Sequence, residues 1–82
     1  MGERMTIVGT RDVSFKDERT GKLVEGMSFY YTQAQDGVKG LSAGKMFMTL
    51  EALSRLEYVP EPGDEVFVYF NRFGKVSSFV KN

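Results

Sequence analysis

Cysteine, histidine and tryptophan are all missing from this 82-residue sequence. Without cysteine there is no disulfide framework, no thiolate metal site and no thiol nucleophile; without histidine the commonest metal ligand and general base is gone. No cofactor and no metal are therefore expected. No apolar run approaches the roughly 18 residues that a membrane span needs, and no charged-then-apolar leader opens the chain, so the expected address is the cytoplasm, with no membrane partner. Length excludes a multidomain enzyme, because so short a chain packs one core; residues 1–82 are read as one domain. What is abundant is aromatic: seven Phe and four Tyr, more rings than so small a core requires.

Eleven basic and eleven acidic side chains leave no net charge, so the total gives no reason for attraction to a polyanion. The distribution is uneven. Residues 51–65 hold one basic and five acidic side chains, whereas residues 66–82 hold three basic and none acidic. Such segregation leaves room for a basic face and an acidic back.

Hydrophobic periodicity predicts five strands and one helix. Met5 to Phe15 is rich in β-branched and aromatic residues and reads as a long first strand in which Gly9 marks a bulge or bend. Lys16 to Lys22 is polar, ends in Gly21-Lys22 and has the composition of a hairpin loop. Leu23 to Gln33 forms the second strand, with Leu23, Met27, Phe29 and Tyr31 toward the core and Tyr30 outward. Asp36-Gly37 turns the chain into a third strand from Val38 to Met48, which Gly40 and Gly44 interrupt or bend. Thr49 to Leu56 changes period and reads as a two-turn helix, capped by Thr49 and braced by Glu51 and Arg55. Pro60 to Asp64 breaks both kinds of element before a strong strand at Glu65 to Phe70. A compact turn at Asn71 to Gly74 leads into a fifth strand, Lys75 to Lys81, with Val76 and Val80 on one face and Phe79 on the other. The termini, Met1 to Arg4 and Asn82, are expected to fray.

Five strands with a helix between the third and fourth is the order of a small, partly open Greek-key barrel, the OB-fold. The expected class is all-β, a five-stranded OB-fold-like barrel; an SH3-like barrel is the competitor, but its last connection is a short turn rather than a capped helix.

Catalytic motifs fail on inspection. Gly40 to Lys45 is one residue short of a P-loop, and Met46 stands where a magnesium-binding hydroxyl is needed. Met1-Gly2 with Thr6 matches a myristoylation pattern too short to carry weight. Asp17-Glu18 and Asp64-Glu65 are adjacent carboxylates whose side chains diverge, with nothing to complete an acid–base set; solvated turns explain them. The protein is read as a binder, not an enzyme.

The informative pattern is aromatic residues interleaved with bases in the hairpins. Arg72-Phe73-Gly74-Lys75 sets a ring at a turn tip between two cations, the combination that single-stranded nucleic acid uses for base stacking and phosphate contact. The alternative is that Phe73 folds back as a plug against Leu41 or Val59. In an OB-fold the ligand crosses strands two and three between the first and last hairpin loops, and here those loops hold Arg19 and Lys22, and Arg72 and Lys75. Tyr30 or Tyr31 would add stacking surface and Lys45 a phosphate contact. Phe15, Phe29, Phe47, Phe67 or Phe70, and Phe79 are assigned to packing or to a partner subunit.

On Thr20-Gly21-Lys22, the Pro62-Gly63 lead-in to a strand and the Phe73-Gly74 tip, the chain resembles the gene V family of phage single-stranded-DNA-binding proteins and related phage or plasmid OB-fold proteins. The resemblance implies a homodimer that coats single strands in phage or mobile-element DNA replication. It would map an aromatic hairpin tip to Phe73, strand-two aromatics to Tyr30 or Tyr31, and basic loop residues to Arg19 and Lys22. The expected ligand is single-stranded DNA rather than RNA, with no small-molecule substrate. The rival reading is a small β-barrel module for protein–protein interaction, which five Met and the surplus rings would suit.

Overall fold

The computed structural model describes residues 2–82; Met1, part of the expected frayed terminus and of the myristoylation pattern, lies outside them. Five strands follow in the order β1 (Glu3–Lys16), β2 (Leu23–Gln33), β3 (Ser42–Thr49), β4 (Glu65–Phe70) and β5 (Val76–Lys81), with helix α1 (Leu50–Ser54) between β3 and β4. All pairings are antiparallel, and the sheet order is β3-β2-β1-β4-β5. No pairing among the described residues joins β3 to β5, so the sheet is not closed. Glu3 and Arg4 pair with Val68 and Phe67 instead of fraying.

The open sheet nevertheless curls. Phe29 on β2 and Phe79 on β5 lie on opposite sides of β1 and β4 in the sheet order, yet their rings meet at 5.2 Å and 53°, an edge-inclined contact that favours the aromatic quadrupoles. Met5, Ile7, Met48, Val66 and Val68 complete the buried cluster, and Ala52, Leu53 and Leu56 pack against it from α1 and its exit. Truncating a fully buried ring such as Phe29 removes about 3–5 kcal/mol in a core of this kind.

Local chemistry sets the element ends. Thr49 caps α1 by accepting from the Ala52 N–H at 3.2 Å, and Glu51 pairs with Arg55 one turn on. The helix is shorter than its period suggests because the Arg55 and Leu56 N–H groups bond three residues back, to Ala52 and Leu53, tightening the last turn. β3 begins at Ser42 rather than Val38: Gly40 holds φ +81°, outside the extended region, and the Ser42 hydroxyl donates to the Gln33 carbonyl at the strand entry.

Two bulges change which side chains face the core. In β1 the register shifts between Ile7 and Gly9, so the bulge expected at Gly9 is present. In β5 it shifts opposite Tyr69 and Phe70, and Ser77 is the extra residue, its hydroxyl donating to the Tyr69 carbonyl at 3.1 Å. That shift puts Val76 on the core side with Phe79 and leaves Val80 exposed, reversing the expected grouping of Val76 with Val80. Leu23 also departs from expectation, at 63% exposure. It pairs with Lys16 three residue pairs beyond the Gly26–Thr49 pair where β3 stops, so the first hairpin projects past the core and nothing covers it.

The loop from α1 to β4 is clasped onto the β1 bulge. Ile7 donates its N–H to the Asp64 carbonyl and accepts from the Gly63 N–H, while the Asp64 carboxylate accepts from the Tyr58 hydroxyl and the Glu61 N–H. Burial first, then the bond to Asp64, pushes the Tyr58 phenol up to about 12; the same hydroxyl, then the Glu61 N–H, holds the Asp64 carboxyl below its ordinary value.

A methyl group on Gly26 would lie 2.1 Å from the Met48 carbonyl oxygen and 2.7 Å from Phe47 Cζ. Gly26→Ala therefore forces β2 and β3 apart, and urea unfolding should show a loss of about 3 kcal/mol, the upper end for an added carbon in a packed site. The Tyr58–Asp64 clasp stabilises the fold when tyrosine is protonated and aspartate ionised. Its tyrosine part is complete below pH 10.0 and is lost as pH rises toward about 12; its aspartate part is complete above pH 3.8 and is lost as pH falls through the lowered folded value. Thermal melts of wild type and Tyr58→Phe should thus differ by a constant margin in favour of wild type between those limits, and the margin should shrink outside them.

Candidate nucleic-acid interface

Strict alternation along β1 would put Ile7, Arg11, Val13 and Phe15 on one face. The bulge prevents this. Ile7 pairs with Tyr31 and faces the core, whereas Gly9, Arg11, Val13 and Phe15 pair with Tyr30, Ser28, Gly26 and Val24 and face outward. β3 continues the same face, with Lys45 opposite Tyr30 and Phe47 opposite Ser28. The outward side of β1, β2 and β3 beyond the bulge thus carries three rings (Phe15, Tyr30 and Phe47), two bases (Arg11 and Lys45) and no carboxylate. Asp12 and Glu25 fall on the opposite side.

The rings are laid flat by small neighbours. Phe47 lies over Gly26, which lacks the Cβ that would collide with it, and pairs with Ser28, which is buried. Its centroid is 6.2 Å from that of Phe15, and these two rings remain 40% and 49% exposed. The sequence expectation for both is packing or a partner subunit; they stand on the outward face instead of in the core. Tyr30 lies over Gly9. Tyr31 turns the other way, packing against the core with its hydroxyl end over Gly44, so of the two tyrosines Tyr30 belongs to this face.

Two hairpin tips flank the face. In the first, the Asp17 N–H and the Gly21 N–H close the loop onto the Lys22 and Asp17 carbonyls, and the Asp17 carboxylate accepts from the Arg19 N–H at 2.9 Å. Arg19 and Lys22 are exposed there. Lys22 is eight residues from Tyr30, about 26 Å along an extended strand, so the structure spreads the candidate residues along a track and does not gather them at one point. In the last hairpin, Asn71 accepts at Oδ1 from the Phe73 and Lys75 N–H groups, an Asx-type turn that Gly74 completes at φ +77°. Phe73 is thrown clear, 72% exposed, rather than folded back as a plug. The Arg72 guanidinium sits 5.0 Å from its ring centroid, a cation–π contact that leaves one ring face open.

Lys75 and Gly74 also line a cleft of about 510 Å³ whose other wall is Met46 to Thr49. The last hairpin and the β3 part of the aromatic face are therefore neighbours.

Charge pairing ties up three of the eleven bases. Arg4, Arg55 and Lys81 are held by Glu65, Glu51 and Asp64. Among the described residues no carboxylate lies within 4.0 Å of Arg11, Arg19, Lys22, Lys45, Arg72 or Lys75, and their charge is available to a ligand. The one strongly perturbed pair, Tyr58 and Asp64, sits in the loop clasp, and no group of three metal-ligating side chains is assembled among the described residues. No helix is long and apolar enough to cross a membrane.

Sequence reasoning missed Arg11, Phe15 and Phe47. The signal for two of them was present: carrying the Gly9 bulge through the alternation moves Arg11 and Phe15 outward. Comparison of the chain with protein-family models, with curated proteins and with solved structures finds no match.

Proposed function

We propose that this protein binds single-stranded DNA, without catalysis, along the outward face of β1, β2 and β3. The observation that carries the reading is the composition of that face: two exposed rings and the partly buried Tyr30, two free bases and no acid, in a chain whose net charge is zero. Bases would stack on Phe15, Tyr30, Phe47 and the open face of Phe73, while Arg11, Arg19, Lys22, Lys45, Arg72 and Lys75 follow the phosphates. The sheet order, with a helix between β3 and β4, supports an OB-fold whose β3–β5 closure is open, and in that fold this face and these two loops take the ligand. The likeness to the gene V family extends the proposal to a homodimer working in phage or mobile-element DNA replication, with DNA preferred over RNA.

A protein-interaction module is the second reading. It is favoured by Leu23 and Leu50, both more than half exposed, which line shallow depressions with Asp12, Glu25 and Glu51 on the side away from the aromatic face.

Fluorescence anisotropy of labelled oligo-dT separates the two readings, with duplex as control. Phe73→Ala should weaken binding roughly 5- to 150-fold, the equivalent of about 1–3 kcal/mol for one stacked base, and should leave the melting temperature unchanged because the ring is solvent-exposed. Arg72→Ala should reduce the slope of log affinity against log salt by about 0.7, the value for one lost contact to a single strand. An unchanged slope removes Arg72 from the site, and no binding by wild type at low salt leaves the interaction module.

A further inference from the structure

The cleft between the two ends of the sheet has features that the stacking face does not need. One wall is Met46, Phe47, Met48 and Thr49 of β3, with Ala52 of α1; the other is Phe70, Gly74, Lys75 and Val76. Its about 510 Å³ lies within the range of about 300–1,000 Å³ typical of small-molecule sites. The lining is apolar and sulfur-rich with one cation and no carboxylate. β3 and β5 are the terminal strands of the sheet, so each presents an edge of peptide groups that no neighbouring strand engages.

We infer that this cleft receives one nucleobase of the bound single strand. The inference rests on the single-strand reading above and adds to it a second mode of contact. A base entering between Met46 and Phe70 buries its ring faces against methionine and aromatic side chains. Its hydrogen-bonding edge meets the free strand edges, where N–H and C=O groups alternate as donors and acceptors. Lys75, at the same cleft, neutralises the phosphate that follows the base. Continuity argues for the same occupant, because Phe47 belongs both to the outward face and to the cleft wall, and Gly74 and Lys75 belong both to the cleft and to the aromatic hairpin. The cleft also supplies what flat stacking lacks, a reason to reject duplex: in a base pair the edge that would meet β3 and β5 is already occupied.

The test uses the whole wild-type chain and an oligo-dT in which one central thymine is replaced by 5-iodouracil, which is photo-crosslinked and mapped by peptide mass spectrometry. Anisotropy of the same oligonucleotide first establishes that it binds. Adducts on Met46 or Phe70 are expected, and their yield should fall to background when the analogue is placed in a duplex. An oligonucleotide that binds but gives adducts on neither of these residues overturns the cleft and leaves the stacking face standing. An oligonucleotide that does not bind overturns both.

Discussion

One extra residue in β1 governs which side chains of this protein meet solvent. A strand alternates its faces, so a chain that places Ile7 in the core must place Arg11 and Phe15 there too unless the alternation is broken. The register shift between Ile7 and Gly9 breaks it. On one side of the bulge Met5 and Ile7 enter the core; on the other Arg11 and Phe15 leave it, and Asp12 takes the opposite face. The same irregularity bends β1 so that its first residues pair with β4 while the rest pair with β2 alone. The loop clasp at Gly63 and Asp64 fastens to Ile7, at the bulge itself. Curl, core and outward face thus depend on one local departure from regular pairing.

Placement of glycine is the second constraint. Gly26 in β2 lets Phe47 lie against the strand surface, where its ring reaches Phe15. A larger residue would lift the ring and open β2 from β3. In this way a position with no side chain determines where an aromatic platform can exist, and the face gains three rings without their being drawn into the core.

Much of this order was readable in the sequence, because its signals are local. The bounds of β2 and β4, the Thr49 cap, the Gly9 bulge and the hairpin tips at Gly21 and Gly74 follow from residue chemistry within a few positions. What escaped depends on sums along the chain or on partners far away in it. Val76 joins Phe79 in the core only because a bulge at Ser77 resets the alternation. Leu23 is exposed only because β3 stops short of it. Phe15 reads as a core residue until the bulge is carried through eight positions. Whether the sheet closes is a matter of β3 meeting β5, a contact between strands more than twenty-five residues apart, and local pattern carries no information on it; the sheet is open there. For the candidate interface, Arg72, Phe73 and Lys75 were visible as a motif and Arg11 followed from the Gly9 bulge, whereas Phe47 emerged only from pairing.

Zero net charge hides an uneven pairing of the bases: Arg11 and Lys45 on the aromatic face and Arg19, Lys22, Arg72 and Lys75 in the hairpins have no carboxylate partner among the described residues, as is also true of Lys16 and Lys39, whereas Arg4, Arg55 and Lys81 are tied to carboxylates. The most direct test of this account is an NMR titration of ¹⁵N-labelled protein with unlabelled oligo-dT. Amide shifts concentrated at Arg11 to Phe15, Ser28 to Tyr30, Lys45 to Phe47 and Asn71 to Lys75 are the predicted result. Shifts centred instead on α1 or on the outward side of β4 and β5, at Phe67, Tyr69 and Val80, or no shifts at low salt, would contradict it.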